Sequence, residues 1–68
     1  MIDTELLKAH IERSGKTNED IASSLGISAK GLLDRIENKK FFKASEIYAL
    51  CDVLEISDNL EKTKIFYS

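Results

Sequence analysis

The stretch NEDIASSLGISAKGLLDRIENKK, residues 18–40, sets Ala22, Ser23, Ser24 and Gly26 among Ile21, Leu25 and Ile27, and ends on two lysines. Thr17 followed three residues later by Asp20 is a variant capping box, with Asp in place of the usual Glu or Gln. It starts a helix whose inward residues are Ile21, Ala22 and Leu25, and Gly26 stops that helix. Ser28 is a ready N-cap for a second helix running from Ala29 to about Glu37, with Leu32 and Ile36 on one face. Asn38 suits the left-handed position after it. Only Gly26, Ile27 and Ser28 separate the two helices, and a turn that short brings them into steep, close contact. A side chain larger than a methyl at the crossing would push the backbones apart, which accounts for Ala22. Gly26 supplies positive φ at no Cβ cost, and Ile27 turns inward as a plug.

The flanking chain supplies partners for this pair. From Asp3 to about Ser14, the residues Leu7, His10, Ile11 and Ser14 recur at the spacing of one helical face, with Leu6 beside them, and Gly15 ends the helix. After the lysines, Ile47, Leu50, Cys51 and Leu54 form one stripe of a helix beginning near Ala44, with Ala49 and Val53 beside it. Ser57 is the expected cap of a short last helix through Leu60, after which the aromatic tail KIFYS, residues 64–68, closes the chain. Five helices in 68 residues predict a compact all-α domain, residues 1–68, with its helix pair at about 18–37.

Composition narrows the function. Apolar residues make up 43% and charged residues 32% of the chain, a globular balance. No apolar run approaches membrane-spanning length and the N-terminus lacks a signal-peptide pattern, so a cytoplasmic protein without membrane contact is expected. One cysteine, Cys51, and one histidine, His10, give neither a disulfide nor a zinc cluster, so no cofactor or metal is expected. Both lie on apolar helical faces and read as core or edge residues rather than a catalytic pair. No other nucleophile has a base at suitable spacing, so neither an enzyme nor a small-molecule substrate is expected.

The formal net charge of −2 is unevenly spread. Residues 1–27 carry −2 and residues 46–68 carry −3, whereas residues 28–45 hold Lys30, Arg35, Lys39, Lys40 and Lys43 against Asp34 and Glu37, a balance of +3. Such a segment is either one orientated basic face or a solvated helix end.

DIASSLGIS, with Ile21, Ala22, Leu25, Gly26 and Ile27 in place, resembles the helix-turn-helix of the Cro/C1-type repressors of bacteriophages and bacteria. RIENKKFFKASEIYALCDVLEIS resembles the part of small phage and prophage repressors that follows their recognition helix. The likeness departs in two places: GLLDRIEN is one residue longer than the common spacing, and Asn38 and Lys39 stand where many relatives have Gly.

The resemblance implies a lambda-repressor-like fold and a sequence-specific, double-stranded DNA-binding transcriptional regulator. Its second motif helix would lie in the major groove and present Ser28, Ala29, Lys30, Leu33 and Asp34 to base edges. Lys30 would donate to guanine, Asp34 would accept from cytosine or else pair with Lys30, and Ala29 would touch a thymine methyl. Leu33, beside core Leu32, is expected to be partly exposed. Phosphate contacts are expected at Thr17 and Asn18, where the helix N-terminus that Glu19 also helps to open offers free amides, and at Lys39, Lys40 and Lys43. One of Phe41 and Phe42 is expected to anchor the loop to the core. Phe66 is expected to pack on its own core, with Tyr67 at or near a weak homodimer contact. The alternative is a protein-interaction module, antirepressor-like, that keeps the helix-turn-helix but binds another regulator; overall acidity and Asp34 favour it.

Overall fold

The computed structural model describes residues 2–67, and within them the chain forms five helices. They are α1 (Thr4–Ser14), α2 (Asn18–Leu25), α3 (Ala29–Ile36), α4 (Ala44–Val53) and α5 (Asn59–Phe66). No strand occurs among the described residues, and the class is all-α, as the periodicities predict. Among the described residues no helix is long and apolar enough to cross a membrane.

Helices α2 and α3 begin where the sequence places their caps, and α1 begins after an Asp3 cap. Asp3 Oδ1 accepts from the Leu6 amide at 3.1 Å, Thr17 Oγ1 from the Asp20 amide at 3.1 Å, and Ser28 Oγ from the Gly31 amide at 3.0 Å. Gly15 and Gly26 end α1 and α2 in the left-handed conformation, with φ of 70° and 74°. α2 lies at the centre, against α3 on one side and α4 on the other, while α1 rests on α3 and α5. Ile21 is fully buried and Ala22 is 2% exposed, so the small residue does sit in the interior. Leu25 and Ile27 are only half-buried and pack against the rim of the core. Ser23 and Ser24 face solvent.

Leu7, Ile21, Leu32, Ile36, Leu50 and Ile65 are the largest fully enclosed side chains. They come from all five helices, so every element shares one core.

The C-terminal half departs from expectation. α5 is capped by Asp58, whose Oδ1 accepts from Leu60 at 2.9 Å, rather than by Ser57, and it continues to Phe66 instead of ending at Leu60. The tail is thus largely the last turns of α5, which bury Ile65 and Phe66 and leave Tyr67 exposed; Ser68 lies outside the described residues. On α4, Ile47 is half-buried and Leu54 lies just past the helix end, although still buried. Glu55 then takes a left-handed φ of 57°, which lets the Ile56 amide donate to the Cys51 carbonyl at 2.8 Å and turns Ile56 into the core. The edge-to-face contact of Phe42 with Phe66, ring centroids 5.9 Å apart, identifies Phe42 as the aromatic that anchors the loop. Phe41 is 92% exposed.

Asn38 carries an unexpected tie. Its φ is 64°, the left-handed position the sequence suggests, and its side chain then grips the N-terminus like a second peptide group. Asn38 Nδ2 donates to the Ile2 carbonyl at 3.1 Å, and Oδ1 accepts from the Ile2 amide at 2.9 Å. Thr4 Oγ1 completes the link by donating to the Ile36 carbonyl. On the other side the Asp3 amide donates to the Ile65 carbonyl at 2.7 Å, so residues 2–4 join the ends of α3 and α5.

Candidate nucleic-acid interface

The fold positions α3 with Leu32 and Ile36 facing the core and Lys30 and Leu33 turned outward. Ser28, at the N-cap, is exposed, and its hydroxyl already accepts the Gly31 amide, leaving its O–H free to donate outward. Ala29 is half-buried, and Leu33 is 41% exposed, the partial exposure expected of it. The Lys30 side chain is 84% exposed and its ammonium lies 3.4 Å from Asp34 Oδ1. A pair as exposed at its cationic end as this one is worth little in water, so Lys30 can leave it for a better acceptor. The Asp34 side chain is only 16% exposed and is turned toward Lys30, the pairing that competes with a base contact. Ser28, Ala29, Lys30 and Leu33 therefore share the accessible side of α3, while Asp34 lies at its margin.

The N-termini of α2 and α3 differ. The first turn of α2 carries Glu19 and Asp20, whereas the first turn of α3 carries no acid. Both ends offer free amides and the positive end of a helix dipole. At α2 that advantage is opposed by two carboxylates, and Asn18 is half-buried. At α3 nothing opposes it.

The basic stretch is less uniformly cationic in space than in sequence. Arg35, counted with that face, is turned inward: its Nε donates to Glu46 Oε1 at 3.0 Å and its Nη1 to the Gly31 carbonyl at 2.9 Å. The two side chains are only 15% and 8% exposed. Lys39 Nζ lies 3.2 Å from Glu37 Oε1 at the surface. Lys40 and Lys43 are exposed, with no ion pair among the described residues. The backbone of this loop is fixed from α3, because the Asp34 carbonyl accepts from the Lys39 amide at 2.8 Å and from the Lys40 amide at 3.3 Å.

Glu46 is the organising residue that sequence reasoning missed. It is buried, and its Oε1 accepts from the Lys43 amide at 2.9 Å as well as from Arg35. The Lys43 N–H, and then Arg35, hold its carboxyl below the usual glutamate range against the opposing effect of burial. One oxygen thus caps α4, fixes Arg35 and sets where Lys43 leaves the domain. The available signal was a glutamate three residues beyond Lys43, the N3 position of a capping box. Gly31 belongs to the same arrangement. A Cβ there would sit 3.1 Å from Arg35 Nη1 and 3.2 Å from Ser28 Oγ, so glycine leaves room for the guanidinium along the helix.

His10 and Cys51 lie elsewhere and apart. His10 Nε2 is hydrogen-bonded to Glu61 Oε2 at 2.7 Å, linking α1 to α5. Cys51 is buried, and burial pushes its thiol up, away from the reactive thiolate. No family model matches this chain, and neither a curated protein nor a solved structure matches it.

Proposed function

We propose that the chain is a sequence-specific double-stranded DNA-binding regulator of the small phage-repressor type, working in the cytoplasm, with α3 entering the major groove. The observation that carries this reading is the arrangement of α3 itself: an acid-free N-terminus, Lys30 reaching outward from its first turn, and Lys39, Lys40 and Lys43 beyond its C-terminal end. Lys30 reads a base edge, with Ser28, Ala29 and Leu33 around it and Asp34 holding the ammonium until a base replaces it. Lys40 and Lys43, with Lys39 once it leaves Glu37, neutralise phosphates, and the amides above Thr17 and Asn18 add a weaker contact. Bound across a promoter, such a domain acts by occupying the site.

The acids at the start of α2 are the observation that favours the other reading, in which the same face binds a protein. Titration of wild type, Lys30→Ala and Lys40→Ala against DNA from the chain's own promoter region and against scrambled duplex, at two salt concentrations, separates the two. On the DNA reading, Lys30→Ala costs about 1–3 kcal/mol on the best site and relaxes preference at one base pair. Lys40→Ala weakens all sequences alike and lowers the salt slope by about one. A wild type without sequence preference overturns the assignment.

A further inference from the structure

Asn38 is exposed, yet its carboxamide is spent on the chain itself. Nδ2 donates to the Ile2 carbonyl at 3.1 Å and to Thr4 Oγ1 at 3.3 Å, while Oδ1 accepts from the Ile2 amide at 2.9 Å. Both N–H donors are thereby engaged, and none is left for a phosphate oxygen. Residues 2–4 in turn close two helix ends. Thr4 Oγ1 donates to the Ile36 carbonyl at 2.6 Å and the Asp3 amide to the Ile65 carbonyl at 2.7 Å, each a terminal carbonyl that no amide of its own helix reaches. The lysine loop leaves α3 at this point. The Lys39 and Lys40 amides turn back to the Asp34 carbonyl, and Ile2, Asn38 and Lys40 border one hollow of about 220 Å³.

We infer that residues 2–4 form a strap that presents Lys40 to the DNA backbone, with Asn38 as its positioning residue. The inference rests on the DNA-binding reading above and adds to it how the phosphate grip is set. A lysine on a loose loop loses backbone freedom as well as side-chain rotamers when it meets a phosphate; on a loop already held it loses only the rotamers. The turn alone does not call for asparagine, because glycine takes a φ of 64° without strain. What asparagine adds is the tie to Ile2, across 36 residues of chain. Lys43 is held separately, since its amide donates to Glu46 at 2.9 Å. The strap therefore acts on the near end of the loop and leaves the far end to Glu46.

The test follows binding of the full chain to a labelled duplex of scrambled sequence, on which phosphate contacts act without base readout, between about 50 and 200 mM salt. Asn38→Gly keeps the turn and cuts the tie, and Thr4→Val loosens the strap at its other bond. At temperatures where circular dichroism shows it folded, Asn38→Gly should bind about three- to tenfold more weakly, with a salt slope shallower by about one. Thr4→Val should move both quantities in the same direction. Lys40→Ala should cost little more on top of Asn38→Gly, whereas Lys43→Ala should cost the same in both backgrounds. A role confined to folding stability leaves the slope unchanged and makes the losses from Asn38→Gly and Lys40→Ala multiply, and either result overturns the inference while the DNA reading stands. So does Asn38→Gly binding as tightly as wild type. A wild type that binds no duplex overturns both, and it is told apart because Lys40→Ala then changes nothing.

Discussion

Helices α1 to α3 begin at Asp3, Thr17 and Ser28, whose side-chain oxygens each accept an amide three residues on, whereas α4 begins at Lys43, which has no oxygen to offer. The first half of the domain closes its helix ends with residues adjacent in sequence. In the second half α5 is capped locally by Asp58, but α4 is closed by a carboxylate that it shares with another helix. Glu46 reaches back to the Lys43 amide and at the same time takes Arg35 from α3, and the turn after α4 is made by Glu55 rather than a glycine. A locally capped helix can lose its cap and keep its neighbours in place. A helix capped through a shared carboxylate transmits any damage to the helix that shares it.

That contrast predicts a graded series of effects, largest first. Glu46→Ala should destabilise by about 3 kcal/mol, because it removes the α4 cap and leaves the Arg35 guanidinium covered and unpaired. On the proposed DNA-binding reading it should also weaken DNA binding through the displaced lysine loop, measured as a fall in affinity under conditions where the variant remains folded by circular dichroism. The same site sets an acid limit. Glu46 has its carboxyl held below the unfolded value, so its contribution is present above the ordinary glutamate range and is lost as pH falls through the lowered folded value. Melting temperatures between neutral pH and about pH 3 should fall more steeply for wild type than for Glu46→Gln over the acid end.

Next in size is the α2 crossing. Ala22→Leu should overpack it and cost roughly 1–3 kcal/mol, whereas Ser23→Leu and Ser24→Leu, on the solvent side, should change stability little. Equal thermal shifts at all three positions would falsify the packing of α2 described above.

The two left-handed non-glycine residues give the smallest and sharpest comparison. Asn38 and Glu55 have φ of 64° and 57°. Glycine relieves the backbone at both, yet only Asn38 uses its side chain to hold the N-terminus. Asn38→Gly should therefore destabilise by about 1 kcal/mol, the net worth of the lost hydrogen bonds exceeding the relief. Glu55→Gly should be neutral or stabilising by up to about 1 kcal/mol. Chemical denaturation of both variants reads the difference directly, and equal signs would show that Asn38 acts through its backbone alone.

What was legible in the chain follows the same division. The caps Thr17 and Ser28, the stops at Gly15 and Gly26, and the buried Ala22 could be read because each is dictated within one turn of helix, by a side-chain oxygen, a missing Cβ or a methyl. Lys30 and Leu33 could be read as outward-facing because they fall off the Leu32–Ile36 stripe on a period that a capped helix must keep. The boundary of α5 could not, since Ser57 and Asp58 are both acceptable caps and the choice rests on Ile65 and Phe66 reaching the core. Arg35 read as part of a basic face because charge along a sequence does not show direction. Its pairing with Glu46, eleven residues further along the sequence, removes it from that face. The Asn38 grip on Ile2, across a separation of 36 residues, was equally out of reach. Short-range stereochemistry and periodicity are properties of the chain, so they settle which residues form helices and which faces turn inward. Which of several acceptable caps is used, which charges are spent on one another, and which aromatics remain uncovered depend on distances between helices, and these exist only once the core has closed.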